Sequence, residues 1–283
     1  MKLTVQGHQA NAHLHANADA DADAYAYTGG KPFDATLPCL VLVHGALHDH
    51  SVWTLLARWF AHHGHAVLAL DLPGHGRSGG PPRASVEAAA DWLLAVLDAA
   101  GVAHAAVAGH SLGSLIGLEA AARAPDRITR LVMLATAYPM KVSDVLFTAA
   151  RERPLDAIRM VNNFSISTTA AKPSYPGPGA WLHGSNQVLM ERSVAQTQRD
   201  QGIDLYTHDF QVCDRYAGGL QAAARVQCPV HFILGARDQM ASPRASRELA
   251  AALDARVVTL LAGHHLMAEA PDAVLAALRA ALA

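Results

Sequence analysis

Gly109-His110-Ser111-Leu112-Gly113 is the stretch whose reading decides the fold. It has the form G-x-S-x-G. A short apolar segment, residues 104–108, leads into it, and a helical pattern over residues 112–124 leads out. Strand, sharp turn and helix together form the context of a nucleophile elbow. The serine of such a turn is expected at positive φ, with glycines on both sides where a Cβ would find no room. That strained backbone pushes the Ser111 hydroxyl outward. The helix that follows turns its free N–H groups and positive dipole end toward the same point. An ordinary glycine turn with a capping serine would carry the same five letters, and only the flanking strand and helix separate the two readings.

Outward from the elbow the chain alternates. Residues 39–43 form a continuous apolar run, as a strand buried on both faces requires, and end in His44-Gly45-Ala46. Residues 52–63 have helical periodicity, with Trp53, Leu56, Trp59 and Phe60 on one side. Residues 66–70 are the next buried strand, ending at Asp71 and followed by a loop over 72–80. Ser85 caps a helix running to Ala100 and closed by Gly101, and residues 128–135 are a further strand. This pattern predicts an α/β fold, a mostly parallel sheet with helices on both faces.

From residue 138 to 224 the alternation stops. Helical patterns over 142–150, 155–161, 187–200 and 214–224, with a Pro/Gly-rich connector at 172–179, predict an inserted helical cap. Strand (230–234), helix (244–253), strand (256–261) and helix (273–282) then resume. The expected organisation is a core of residues 1–137 and 225–283 with a cap (lid) of 138–224. Before the core, residues 3–5 and 25–27 read as short strands. Between them, residues 11–23 alternate Ala with His, Asn and Asp, a low-complexity composition expected to form a solvated hairpin loop rather than a metal site.

Composition limits the partners. The chain has 283 residues, 51% of them hydrophobic and 16% charged, which is enough apolar material for a sizeable core. A net charge of −2 attracts neither nucleic acid nor an anionic membrane. No apolar run approaches the ~18 residues of a membrane span, and no secretory signal core follows Met1-Lys2. Cys39, Cys213 and Cys228 are odd in number and lack metal-binding spacing, so reduced thiols in a cytoplasmic protein are expected. The 17 histidines include no H-E-x-x-H pattern, which argues against a zinc hydrolase.

A serine hydroxyl is a weak nucleophile and needs a base, which in turn needs an orienting acid. In a fold of this kind the chain order is nucleophile, acid, base, each after a strand. Strand 230–234 runs into Gly235-Ala236-Arg237-Asp238, whereas the segment after strand 128–135 offers Thr136, Ala137, Tyr138 and Pro139 and no carboxylate. Asp238 is therefore the expected acid. The last strand leads to Gly263-His264-His265, and spacing alone leaves the base open between the two histidines. The Leu112 N–H, next after the nucleophile, is one expected oxyanion donor.

Five ordered motifs resemble the α/β-hydrolase family, in its capped, esterase-like serine-hydrolase branch. They are His44-Gly45, the loop from Asp71 to Ser78, the elbow, Gly235 to Asp238, and Gly263-His264 with Glu269-Ala270-Pro271. The resemblance runs from about residue 37 to the end, apart from the cap. It implies His264 as base, with His265 facing the pocket wall or solvent. It also implies the Ala46 N–H as second oxyanion donor and His75 and Arg77 as loop-fixing residues. The activity it implies is cofactor-free hydrolysis of a small, largely apolar carboxylic ester or related acyl compound through an acyl-enzyme.

Alternatives are carbon–carbon bond or enol-lactone hydrolysis in aromatic breakdown, a cofactor-free haloperoxidase or perhydrolase, and a non-catalytic binder on the same fold. Ala46-Leu47-His48-Asp49 stands where the ring-cleavage hydrolases carry more glycines, and Ser111 argues against the Asp-nucleophile dehalogenases and epoxide hydrolases. His110, Trp181, Met240 and Leu266 are the expected substrate contacts, with Leu146, Phe147, Phe164, Leu182 and Met190 as further lining, although core packing competes for most of these. His44 is expected to bond within its loop, and His48, His50, His62, His63 and His65 to lie at the surface or face the cap.

Overall fold

A computed structural model of the chain describes residues 1–5, 22–167 and 178–283. Of the loop expected over 11–23, residues 11–21 lie outside the described residues, while Ala22 and Asp23 belong to a strand. Residues 172–177 of the expected connector also lie outside them, and Pro178 and Gly179 open a helix instead.

The core begins with β1 (Lys2–Val5), β2 (Ala22–Tyr27), β3 (Cys39–Val43), α1 (Thr54–Ala61), β4 (Ala66–Leu70), α2 (Val86–Ala99), β5 (Ala105–His110), α3 (Leu112–Arg123) and β6 (Ile128–Leu134). Between β6 and the next strand lie α4 (Asp144–Glu152), α5 (Pro154–Ser165), α6 (Pro178–Gln201), α7 (Leu205–Arg215) and α8 (Gly219–Ala223). The chain closes with β7 (Val230–Gly235), α9 (Arg247–Ala252), β8 (Arg256–Leu260), α10 (Leu266–Glu269) and α11 (Pro271–Leu282). The eight strands form one sheet in the order β1-β2-β4-β3-β5-β6-β7-β8. The β1–β2 and β2–β4 pairings are antiparallel and all the others parallel. This is the α/β-hydrolase fold.

Side chains of β3 alternate between two cores. Val41 and Val43 pack with Leu93 and Leu97 of α2 and Leu115 of α3. Leu40 and Leu42 pack with Leu56 and Phe60 of α1 and Leu278 of α11. Helices on both faces explain why β3 and β4 are buried at every position. Ser85 caps α2 as its sequence signature requires, accepting from the Ala88 N–H at 3.2 Å.

The helices between β6 and β7 have their own apolar cluster, built from Leu146, Ile158, Val161, Met190, Tyr206 and Phe210. Leu47, from the loop after β3, is fully buried in that cluster. Two boundaries here differ from the sequence pattern. A helix was expected over 214–224, but α7 covers Leu205–Arg215 and α8 only Gly219–Ala223. α6 starts at Pro178, nine residues before the expected start, at a residue type compatible with a first helical position, where proline gives up no hydrogen bond.

Candidate active site

Ser111, Asp238 and His264 lie just beyond the carboxyl ends of parallel strands, the edge where ligands bind in sheets of this kind. Ser111 leaves β5 with φ 52° and ψ −118°. A non-glycine residue in that region costs about 1–3 kcal/mol and persists only where the surroundings enforce it. Here the Ser111 N–H donates to the Leu134 carbonyl at 2.9 Å and its carbonyl accepts from the Ser114 N–H at 2.9 Å. A Cβ on Gly109 would collide with the Gly113 carbonyl, and one on Gly113 with the carbonyls of Val43 and His44. Both elbow glycines are therefore demanded by close backbone approach.

Asp238 follows β7 and His264 follows β8. The His264 Nδ1 lies 2.8 Å from the Asp238 Oδ2, and both residues are buried. The other carboxylate oxygen accepts from the N–H groups of Met240 at 2.8 Å and Ala241 at 2.7 Å. An ionised carboxylate only accepts, so the Nδ1 carries the proton and a neutral His264 ring presents a lone pair at Nε2. Ser111 and His264 line the same cavity of about 250 Å³, together with Ala46, His48, His110 and Met240. Leu146, Val161, Phe164 and Phe210 form its helical wall.

The His264 backbone is held on every side. Its N–H and that of His265 donate to the Ser165 carbonyl at 3.0 and 3.1 Å, and its own carbonyl accepts from the His110 Nε2 at 2.9 Å. The Gly263 N–H donates to Glu269 at 3.1 Å, and Glu269 also takes the Ser167 N–H and hydroxyl. Burial does not distinguish the two histidines, each 7% exposed. Their partners do. The His265 ring stacks on His48, with centroids 5.3 Å apart.

Two peptides beside Ser111 are fixed by one device. The Gly45 carbonyl accepts from the His44 Nδ1 at 2.8 Å and from the His48 N–H at 3.3 Å. A trans peptide points its N–H opposite its carbonyl, so anchoring the Gly45 oxygen sets the direction of the Ala46 N–H. The Ser111 carbonyl, bonded to Ser114, sets the Leu112 N–H in the same way.

Four imidazoles surround these groups in neutral form. Burial holds His44 and His48 down at about 4 and His265 at about 3. Burial and the neighbouring His264 keep His110 well below the ordinary histidine value. His75 is displaced the other way. Burial disfavours its charged form, but the Asp209 carboxylate 2.8 Å from its Nε2 more than offsets that.

Several expected placements are corrected. Leu266 is not a lining residue. It is fully buried on α10 in the core that holds Trp53 and Leu56, because a one-turn helix directs it inward. Trp181 is 81% exposed and lines a separate outer cleft of about 890 Å³ with Leu55, Leu182 and Val188. Met190 packs inside the helical cluster. His110 and Met240 do line the Ser111 cavity, as do Leu146 and Phe164. His48 is buried and bonds Asn186 of α6 at 2.8 Å, whereas His62 and His63 are exposed.

Asp209, Asn162, Asn186 and Ser165 escaped the sequence reading because polar residues within helical patterns carry no sign of their tertiary partners. Asp49, His50 and Asp71 lie within 4.8 Å of one another in a metal-like grouping. Their atoms are committed to other bonds: Asp49 to Ser51 and to Arg192 of α6, Asp71 to His50 and Arg77.

Residues 38–271 match the family model for the α/β hydrolase fold. Over 225 residues the chain is 31% identical to a pimeloyl-(acyl-carrier protein) methyl ester esterase of Chromobacterium violaceum, covering 76% of this chain and 82% of that protein. A shorter stretch of 103 residues is 40% identical to the dihydrolipoyllysine-residue acetyltransferase component of the acetoin cleaving system of Pseudomonas putida. That match covers 35% of this chain and 26% of the relative, about a quarter of its length. Among solved structures, the enol-lactonase from Burkholderia xenovorans LB400 superposes with a TM-score of 0.77 at 24% identity, covering 92% of this chain and 96% of that one. At that identity the likeness is one of fold.

Proposed function

The chain belongs to the α/β hydrolase fold family, and from that premise we propose that it is a serine hydrolase of small, largely apolar carboxylic esters or related acyl compounds. The observation that carries the reading is the buried His264–Asp238 pair at 2.8 Å opening onto the cavity that holds Ser111. In this reading the Ser111 hydroxyl attacks the ester carbonyl and His264 accepts its proton at Nε2. Asp238 holds the tautomer and stabilises the imidazolium that forms. The N–H groups of Ala46 and Leu112 receive the oxyanion, each donor contributing on the order of 3 kcal/mol to the transition state. Collapse of the tetrahedral intermediate expels the alcohol, protonated by His264. Water, deprotonated by the same ring, then releases the acid from the acyl-enzyme.

The insertion over 138–224 serves as the cap and sets the acyl group by its apolar wall. A cavity of about 250 Å³ is smaller than the usual pocket of a drug-sized ligand, so short acyl groups are the expected substrates. A fluorophosphonate probe followed by peptide mapping should label Ser111, and a panel of p-nitrophenyl esters graded by chain length should be turned over best at its short end. Labelling at another residue, or no hydrolysis of any ester in the panel, would overturn the reading.

A further inference from the structure

Leu47 is the residue directly after the proposed oxyanion donor Ala46, and its backbone stands at φ 62°. Leucine occupies that region only under constraint. Its side chain is sunk in the apolar cluster of the α4–α7 helices. Its N–H donates at 2.9 Å to the Oδ2 of Asp209, a residue of α7. The same oxygen accepts from the His75 Nε2 at 2.8 Å, and Asp209 and His75 are both buried. The His75 Nδ1 lies 3.0 Å from the Pro73 carbonyl. Both ring nitrogens thus face pure acceptors, so the bonds form together only when the ring is the doubly protonated imidazolium. Asp209 and His75 are a buried ion pair, and the carboxylate is drawn well below its ordinary range despite burial, chiefly by His75.

We propose that Asp209 is a positioning residue: from the helical insertion it holds Leu47 in its left-handed backbone and thereby aims the Ala46 N–H at the developing oxyanion. The inference rests on the reading of Ser111 as nucleophile. Two anchors bracket the loop, the Gly45 carbonyl bonded to His44 on the core side and the Leu47 N–H bonded to Asp209 on the helical side. The Ala46 N–H lies between them. A residue that only tied the helices to the core would need no bond to this one amide. The second bond, to His75, charges the carboxylate's environment and keeps a single oxygen saturated by two donors. Release of the Leu47 amide lets the 45–47 backbone relax from its strained conformation, and a displacement of about 1 Å at a catalytic group costs on the order of a hundredfold in rate.

The test uses the full chain with Asp209→Ala, Asp209→Asn, and the double variant His75→Leu with Asp209→Leu. The double variant replaces the buried pair by apolar groups, a change that buried ion pairs tolerate in folding. It leaves the Leu47 amide without its acceptor, together with the His208 Nδ1, 3.2 Å from the other carboxylate oxygen, and the Pro73 carbonyl without its donor; neither of these two groups belongs to the 45–47 loop. Steady-state hydrolysis of p-nitrophenyl acetate is measured below each variant's melting transition, with the affinity for an aryl trifluoromethyl ketone. The ketone forms a bond between its carbonyl carbon and the Ser111 oxygen, moves the carbonyl electron pair onto its own oxygen, and leaves the hydroxyl proton on His264.

Asp209→Ala and the double variant should lose about 10- to 100-fold in kcat with KM changed by less than about twofold. Ketone affinity should fall by the same factor as kcat. Asp209→Asn retains an acceptor oxygen for both donors and should keep kcat within about threefold of the parent. Folded variants with parental kcat and parental ketone affinity would overturn the inference, as would an asparagine variant as impaired as alanine. Ser111→Ala is assayed in parallel. If it still turns over ester, the reading of the site fails; if it is inactive while the Asp209 variants are unimpaired, only the positioning role fails.

Discussion

The two walls of the Ser111 cavity are made by different means. On the sheet wall, position follows from backbone. The ends of β3, β5, β7 and β8 deliver His44, Ser111, Asp238 and His264, and hydrogen bonds between neighbouring strands fix the strand ends. On the helical wall, position follows from side chains. α5 and α6 meet through Asn162 and Asn186 at 2.8 Å, α6 reaches His48 through Asn186, and α7 reaches the core through Asp209. Each of these buried polar contacts is directional and costly to leave half-made. The difference teaches a division of labour. On the proposed reading, chemistry is anchored where a ladder of peptides cannot shift. Specificity would then sit on helices whose seat depends on a few polar pairs, free to change without moving the reacting groups.

If that division holds, the largest effects come from the sheet wall. Ser111→Ala should lower kcat for a short ester on the order of 10⁶-fold with melting temperature unchanged, because nucleophile, base and acid act as a unit. His264→Ala should approach the same loss. His265→Ala should keep turnover within about tenfold, since its ring meets His48 rather than the carboxylate. Circular dichroism of both histidine variants separates lost catalysis from lost folding. The reverse ranking, with His265→Ala the inactive protein, would move the chemistry one residue along the loop and break the comparison at its firmest point.

Legibility in the sequence follows the same line. Runs such as Cys39–Val43 and Ala66–Leu70 are apolar at nearly every position because both faces are covered, and that is visible without neighbours. The elbow is equally plain, because two glycines are forced by backbone contact. Helix α7 was not visible. Its buried side includes Asp209 beside Phe210 and Val212, and an aspartate in a helical pattern reads as solvated until His75 and the Leu47 amide are placed against it. His265 and Leu266 were ambiguous for another reason. His265 immediately precedes the one-turn helix α10 and Leu266 opens it, so neighbouring side chains point in different directions and only the packed loop decides which meets the core. His264 could be singled out only through its Gly-His…Glu-x-Pro setting, which the structure explains by the bond from the Gly263 N–H to Glu269.

Leu266 sharpens the comparison by about 2–5 kcal/mol. It is fully buried in the α1–α11 core, so Leu266→Ala should lose stability in that range in urea unfolding, as cavities in packed cores do. KM for short esters should not change. A raised KM at unchanged stability would return Leu266 to the cavity wall.

Acid should weaken the fold through the neutral imidazoles at the seam between the walls. Histidine in an unfolded chain titrates near about 6.5, and burial holds His48 at about 4 and His265 at about 3. Their folded values lie below their unfolded ones, so the unfolded chain binds more protons between these limits. The stability they contribute is full above pH about 6.5 and is lost as pH falls toward their folded values. The unfolding free energy from urea titration should therefore be lower at pH 5 than at pH 7, by about 1–2 kcal/mol for each ring. His265→Phe, which keeps a flat ring against His48, should reduce that slope. An unchanged slope would mean that the ring is not held neutral.

The smallest expected effect is at Trp181, and it tests which concavity belongs to the reaction. The side chain is 81% exposed on α6 and borders the outer cleft of about 890 Å³, while Ser111 opens into the separate cavity of about 250 Å³. An exposed aromatic that packs against little has little stability to lose, so Trp181→Ala should stay within about 0.5 kcal/mol of the parent. If short acyl groups are held by the inner cavity, kcat and KM for p-nitrophenyl acetate should also be unchanged. A ligand that extended from the inner cavity into the cleft would behave otherwise, because a large indole face contributes strongly wherever it is covered. Only the KM of long-chain esters would then rise, with kcat held, since the contact lies far from the reacting carbonyl and is the same in the bound substrate and the transition state. His265 and Asn186 border the cleft while His48, which touches both, borders the cavity. The stacked His48 and His265 rings thus stand between the two spaces, one bordering each. A chain-length-dependent KM at Trp181 would show that the helical wall selects on both sides of that partition; a flat response would confine selection to the inner cavity.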